Sequence, residues 1–197
     1  MNTGRTAIRR DKPSRPMKAF LPMVAGLLDL VGQPQKDSPS FFDIGCGRGD
    51  DMEYLRQWSR KSTIDGYDPN YKPKPKPSGT RGALFDVVTC IYVLNVLEEH
   101  DERMNVLRDV KWMVKPNGIV MVASRSHRDI FNSVTDGWIK TGDGWTTTSG
   151  TFQCGFKASE LGKMLMDAGF GAVFTLVDNN AFAMVAGACQ LQCGDKL

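Results

Sequence analysis

The residues whose types and spacing suit chemistry gather in one stretch, Asp43-Ile44-Gly45-Cys46-Gly47-Arg48-Gly49-Asp50-Asp51. An acid precedes three glycines that alternate with other residues. Glycine is needed where the backbone takes positive φ, or where a ligand must approach it without a Cβ in the way. A strand running into such a turn and then a helix is a nucleotide-binding arrangement. The dinucleotide fingerprint G-x-G-x-x-G would place its third glycine at position 50, which is Asp50 here. Asp50 and Asp51 also put negative charge at the helix N-terminus, where a pyrophosphate would need none. A nucleoside ligand that carries positive charge and no phosphate fits better. The plain alternative is a glycine turn that serves only packing. Asp68, at the end of the next apolar run, can accept hydrogen bonds from ribose hydroxyls. Equally, an Asp before Pro69 is a common turn residue.

These residues need elements to hold them. Ser40–Ile44 reads as a buried strand. The helix after it, Asp51 to about Arg60, presents Met52, Leu55 and Trp58 to a sheet. Thr63–Tyr67 and Phe85–Ile91 read as further strands. Between them Lys72-Pro73-Lys74-Pro75-Lys76-Pro77 excludes both helix and central strand, so an extended linker is expected. Asp101–Val114 has a helical apolar face (Met104, Leu107, Val110 and Met113 or Val114). Lys115-Pro116-Asn117-Gly118 is a tight turn leading to a strand over Ile119–Ala123. Asp136–Phe156, rich in Gly, Thr and Trp, predicts a β-hairpin or a long ordered loop. A helix follows from Lys157 to about Ala168, ended by Gly169. Ala172–Val177 and Phe182–Ala188 form an antiparallel pair around Asp178-Asn179-Asn180-Ala181. Upstream, Ser14 caps a helix with Pro16 in its first turn. Met17, Phe20, Leu21, Val24, Leu27 and Leu28 carry that helix to about Leu30, and Pro22 kinks or restarts it.

A chain of 197 residues, 41% hydrophobic and 24% charged, is expected to be soluble, with residues 1–39 as a basic arm and amphipathic helix and 40–197 as the functional domain. No apolar run approaches the roughly 18 residues of a membrane span, and no signal peptide is visible. The five cysteines are odd in number and read as reduced thiols of a cytoplasmic protein. Cys189 and Cys193 lack histidine partners, so no metal site is expected. Net charge is only +3, yet Arg5, Arg9, Arg10, Lys12, Arg15 and Lys18 face a single acid, Asp11. A second patch holds Lys72, Lys74, Lys76 and Arg81. Clusters of this sign favour anionic partners, nucleic acid first; a solvated arm and a solubilising loop are the alternative.

Together the segments resemble the class I S-adenosylmethionine-dependent methyltransferases. The resemblance rests on Phe41 to Gly49, on Gly66-Tyr67-Asp68, on Phe85 to Glu99, and on Met113-Val114-Lys115-Pro116-Asn117-Gly118-Ile119-Val120-Met121-Val122, which is similar to the family's "LKPGG" turn and fifth strand. It covers about residues 40–188, in family order. It implies an α/β fold: a Rossmann-like, mostly parallel sheet with helices on both faces and a C-terminal antiparallel hairpin. It implies that Gly45, Cys46, Gly47 and Gly49 line the methionine and ribose portion of S-adenosylmethionine. Asp43 would orient the amino acid end, and Asp68 with Pro69 would bind the ribose. Ile91, Tyr92 and the residues to Asn95 would face the sulfonium and the methyl acceptor. One departure stands out. Only seventeen residues separate Asp68 from Asp86, too few for a helix-strand crossover in this Pro-rich stretch. One helix-strand unit is therefore missing after strand two, and adenine recognition falls to Tyr71 or the linker.

A narrower resemblance links Thr6 to Pro16, Gly45 to Asp51, Gly66-Tyr67-Asp68-Pro69, Tyr92 to Glu98 and Gly150-Thr151-Phe152-Gln153 to the methyltransferases associated with DNA phosphorothioation systems. Methyl transfer mainly requires alignment and exclusion of water, and a base is optional. His127 is a candidate base, while His100 reads as a helix cap. Tyr92 and Asn95 are the candidates for acceptor contact. Ile91-Tyr92-Val93-Leu94 lacks the [DNS]-P-P-[FYW] tetrapeptide of amino-methylating DNA enzymes. Cys90 follows Thr89 and not Pro, unlike a cytosine C5 nucleophile. The expected function is a methyltransferase with an unidentified acceptor, nucleic acid among the candidates through the arm. The alternative is a cofactor-binding accessory protein without turnover in a nucleic-acid-modification complex.

Overall fold

The computed structural model describes residues 10–33, 38–73 and 85–189. Strand β1 (Phe41–Ile44) is buried at all four positions, as expected of a strand covered on both faces. It lies parallel to and between β2 (Ile64–Tyr67) and β3 (Phe85–Ile91). Strand β4 (Val114–Arg125) runs parallel to β3, and the C-terminal hairpin β8 (Ala172–Asp178) and β9 (Phe182–Ala188) completes the sheet antiparallel. The order is β2-β1-β3-β4-β9-β8. Among the described residues no strand lies beyond β2, which agrees with the missing helix-strand unit; residues 74–84, including Lys74, Lys76 and Arg81, lie outside the description.

Helices cover both faces. On one, α4 (His100–Met113) and α6 (Ala158–Asp167) bring Met104, Leu107, Val110, Leu161 and Leu165 against Phe42, Val88, Val120 and Val185. On the other, α1 (Arg15–Phe20), α2 (Val24–Leu30) and α3 (Asp50–Trp58) bring Met17, Phe20, Val24, Leu28 and Leu55 against Phe41, Val87, Met121 and Met184. Ser14 caps α1, its Oγ accepting from the Met17 N–H at 3.2 Å. Pro22 lies in a 3₁₀ turn, Leu21–Met23, that separates α1 from α2.

The stretch 136–156 forms a separate antiparallel sheet of β5 (Ile139–Thr141), β6 (Gly144–Thr146) and β7 (Phe152–Gln153). Helix α5 (His127–Ser133) precedes it. Two boundaries differ from the sequence reading. Helix α3 stops at Trp58, which lies edge-on to Phe41 with ring centroids 5.9 Å apart. The expected turn at 115–118 is taken up into β4, with Asn117 at φ 62 and a register shift opposite Phe85 and Val87.

Candidate active site

The glycine turn hangs on the end of β2. The N–H groups of Gly45 and Cys46 both donate to the Tyr67 carbonyl, at 2.7 and 3.1 Å. Gly45, Gly47 and Gly49 have φ of 71, 52 and 90°, so all three lie in the left-handed region. At Gly45 space is decisive as well, since a Cβ there would come within 2.3 Å of Val93 Cγ2. The turn is then held from below by Asp68. Its Oδ2 accepts from the Gly47 N–H at 3.0 Å, and its Oδ1 accepts from the N–H groups of Asn70 and Tyr71 at 2.9 and 3.1 Å.

Asp43 is buried at the heart of this arrangement. Its Cα neighbours across β1 are Gly66 and Thr89. The Thr89 hydroxyl donates to Asp43 Oδ1 at 2.7 Å. Burial, with the charge of Asp51 added, pushes the Asp43 carboxyl up to about 7. A buried carboxylate with one neutral donor is poised for a cation. Burial and the nearby Asp43 also push the Cys46 thiol up to about 12, so it presents a neutral, unreactive wall.

These groups open into a cavity of about 940 Å³. Asp43, Gly45, Cys46, Gly47, Asp68, Pro69, Ile91, Tyr92 and Asn95 all line it. Tyr92 sits directly after β3 at φ 58, an uncommon conformation for an aromatic residue, with its N–H held by the Ala123 carbonyl at 2.8 Å. Desolvation raises its phenol above the ordinary value, so it remains protonated at neutral pH. Asn95 lies in a 3₁₀ turn (Leu94–Val96) onto which β7 docks: the Cys154 N–H donates to the Asn95 carbonyl at 2.9 Å. The Asn95 Nδ2 donates to Gln153 Oε1 at 3.2 Å. Arg125 Nη1 points at the same oxygen at 3.4 Å, while Arg125 Nε donates to Asp129 Oδ2 at 2.5 Å. The Asn95 side chain is 2% exposed, and its Oδ1 has no hydrogen-bond partner.

The cavity has a second wall that sequence reasoning did not place. Residues 10–15 of the basic arm line it. The N–H of Arg10 donates to Asp50 Oδ2 at 3.0 Å and that of Ser14 to Asp51 Oδ1 at 2.6 Å. The Arg10 guanidinium lies 5.7 Å from the Tyr92 ring centroid and 3.9 Å from Asp51. Asp50 and Asp51, read from sequence as a bar to phosphate, thus anchor the arm. The signal available was the pairing of acids at the mouth of α3 with an upstream cluster of cations; its geometry was not. Gln153, Arg125 and Asp129 were likewise missed as cavity residues.

Two expected residues stand outside. Gly49 caps α3 and shapes the turn without lining the cavity. His127 is also not among the lining residues. It is half exposed at the start of α5, and its Nε2 meets Glu160 Oε2 at 2.8 Å. The physical reason is the helix start: Ser126, not His127, turns inward as N-cap, and Gly155 packs against the His127 backbone. His100 opens α4. Tyr71 faces a smaller adjoining cavity, its ring under the Arg48 guanidinium at 4.7 Å.

A family model described as a methyltransferase domain matches residues 17–173. The chain belongs to the methyltransferase domain family. Among curated proteins no sequence relative matches. Solved structures share the fold at low identity. An O-methyltransferase family protein from Burkholderia thailandensis is 16% identical with a TM-score of 0.57; the match covers 89% of this chain and spans 59% of that protein's length. The 1,6-didemethyltoxoflavin-N1-methyltransferase of the same organism, solved with 1,6-didemethyltoxoflavin and S-adenosylhomocysteine, is 18% identical, with a TM-score of 0.55 and coverage of 87% and 79%. A protein from Pyrococcus horikoshii OT3 is 14% identical, with a TM-score of 0.60 and coverage of 91% and 94%. In this methyltransferase no helix among the described residues is long and apolar enough to cross a membrane.

Proposed function

We propose that this methyltransferase takes its methyl group from S-adenosylmethionine bound against the turn 43–49, and delivers it to an acceptor held by Tyr92 and Asn95. The observation that carries the reading is Asp43: a buried carboxyl, raised to about 7, beside a turn of three positive-φ glycines. Such a group binds a ligand's cation, and the cradle admits the ligand without a Cβ in the way. The residues present fit the cofactor. Asp43 takes the ammonium of its amino acid end. The Gly45–Gly47 backbone and the neutral Cys46 thiol line its middle. On Asp68, Oδ1 already accepts two N–H groups and Oδ2 one. One lone pair is left, so Asp68 takes one ribose hydroxyl and not both.

When bound, the cofactor supplies an activated methyl on a sulfonium. The chain's own work is then alignment and exclusion of water. Tyr92, fixed by its backbone bond to Ala123, and Asn95, fixed through Gln153, set the acceptor's position. Residues 10–14, tied to Asp50 and Asp51, roof the cavity. The narrower likeness to methyltransferases associated with DNA phosphorothioation systems is supported by sequence motifs alone. It keeps nucleic acid among the acceptors to be tested. The protein is to be incubated with methyl-labelled S-adenosylmethionine and separate pools of DNA, RNA, protein and small molecules. Label entering one pool is expected. Tight binding of the cofactor with no transfer to any pool would support an accessory role instead.

A further inference from the structure

The amino acid end of S-adenosylmethionine carries opposite charges on one carbon, an ammonium and a carboxylate. Asp43 answers the ammonium. Its surroundings are otherwise hostile to a carboxylate, since Asp50, Asp51 and Asp68 line the same cavity. Burial raises the Asp43 carboxyl to about 7 and the charges of Asp51 and Asp68 add to it, while the Thr89 hydroxyl and the charge of Arg10 work against them. A ligand carboxylate beside the Asp43-bound ammonium therefore meets like charge unless a cation stands with it. Arg10 is placed to be that cation. Its backbone N–H donates to Asp50 Oδ2 at 3.0 Å, and its guanidinium lies 5.7 Å from the Tyr92 ring centroid. Its fork is largely unspent. Among the described residues the guanidinium makes no hydrogen bond, and its ion pair with Asp51, at 3.9 Å, is longer than one. The other arginines within the wall are committed. Arg125 is held by Asp129, Ser133 and Gln153, and Arg48 lies 4.7 Å from the Tyr71 ring centroid. Lys12 and Arg15 are exposed, and Arg10 is the cation whose charge reaches Asp43.

We infer that Arg10 binds the carboxylate of the cofactor's amino acid end, as the counterpart of Asp43 at the ammonium. This rests on the reading of the cavity as an S-adenosylmethionine site. A guanidinium presents planar N–H donors that match both oxygens of a carboxylate, so the pair is directional as well as charged. Part of the basic arm then works inside the site and not on an outside anion. A ligand held by Asp43 and Arg10 bridges β1 to the arm, and so ties the arm down beyond its bonds to Asp50 and Asp51. The same pair gives the site its selectivity for a complete amino acid end over adenosine thioethers that lack the carboxylate.

Calorimetric titration with S-adenosylhomocysteine and with its decarboxylated form tests this without any methyl acceptor. The second ligand keeps the adenosine, the sulfur and the ammonium and lacks only the carboxylate. The wild-type protein should prefer S-adenosylhomocysteine about tenfold or more, the scale of a hydrogen bond between charged groups. Arg10→Gln should bring the two ligands within about threefold of each other, by weakening S-adenosylhomocysteine alone. Arg10→Lys keeps the charge and loses the fork, so its preference should fall between the two. Lys18→Gln removes the same charge from an exposed site outside the cavity and should keep the full preference. The Arg10 side chain is 36% exposed, so its variants should fold, which circular dichroism verifies. A preference unchanged in Arg10→Gln, absent from the wild type, or lost equally in Lys18→Gln overturns the assignment and leaves the cofactor site standing. Binding of neither ligand by the wild-type protein overturns both.

Discussion

The backbone N–H of Ser14 and the Oδ1 of Asp51, thirty-seven residues apart in sequence, form a buried hydrogen bond of 2.6 Å. It joins the cap of α1 to the first turn of α3. With the parallel bond from Arg10 to Asp50, it seats the arm across the mouth of the glycine turn. Asp51→Ala leaves the Ser14 N–H without its partner and should destabilise the fold by about 1–3 kcal/mol. The arm should loosen as well. Urea unfolding checks the first effect. Limited trypsin cleavage after Arg10 and Lys18 checks the second, since Lys12 and Arg15 each precede a proline. Unaltered cleavage at these sites would contradict the anchoring role.

Gly45 is tested by a single methyl group. In Gly45→Ala the Cβ meets Val93 Cγ2 at 2.3 Å while φ stays near 71°. Either the turn shifts or Val93 does, and both adjoin the cavity. Destabilisation of about 1–3 kcal/mol is expected. The loss in S-adenosylhomocysteine affinity should be tenfold or more. Wild-type affinity in a folded Gly45→Ala protein would remove the cradle from the account.

Asp43 gives the site a pH dependence. Burial raises its carboxyl to about 7, so in the free protein it is protonated below that pH and ionised above it. A cationic ligand needs the ionised form. Affinity for S-adenosylhomocysteine should therefore fall as pH drops below about 7, with a proton released on binding there. Stability runs the opposite way. The folded state holds this proton more tightly than the unfolded chain, so its contribution is greatest near pH 4 and is lost as pH rises through about 7. Asp43→Asn should flatten both profiles. Titrations in buffers of different ionisation enthalpy measure the proton release, and a pH-independent affinity would contradict the assignment.

Arg103 locks the small sheet to the Leu97–Glu98 segment that follows the 3₁₀ turn carrying Asn95. Its side chain is 3% exposed, and the guanidinium meets the Leu97 and Glu98 carbonyls at 2.8 and 2.9 Å and both oxygens of Asp143 at 2.5 and 2.9 Å. It also lies beside the rings of Phe152 and Phe156. Arg103→Met strands these carbonyls and releases the β5–β6 turn. A loss of roughly 2–4 kcal/mol is expected. Because β7 carries Gln153, methyl transfer should fall further than cofactor binding. Equal losses in both would show that Arg103 acts on the whole fold and not on the acceptor side.

Local rules made much of this legible in sequence. The glycines at 45, 47 and 49 announced a turn of unusual φ, and the unbroken apolar runs at 41–44 and 85–91 announced strands covered on both faces. The short connection after Asp68 foretold a sheet ending at β2 among the described residues. The final hairpin followed from its polar turn. What stayed hidden depends on contacts between distant segments. Asn95 and Gln153 are 58 residues apart, and nothing in either neighbourhood specifies that β7 docks on the 3₁₀ turn. Asp50 and Asp51 were visible as charges, but their use as acceptors for arm N–H groups depends on where the arm lies. His127 was placed near the right edge of the sheet, yet a helix capped by Ser126 turns the histidine toward α6 and Glu160.

The central claim is that the turn 43–49 and Asp68 bind S-adenosylmethionine, and calorimetric titration of S-adenosylhomocysteine tests it most directly. The wild-type protein should bind one equivalent saturably at pH 8. Asp43→Asn and Asp68→Ala should each weaken binding at least tenfold while remaining folded by circular dichroism. Absence of binding to the wild-type protein, or unchanged affinity in both folded variants, would contradict the account.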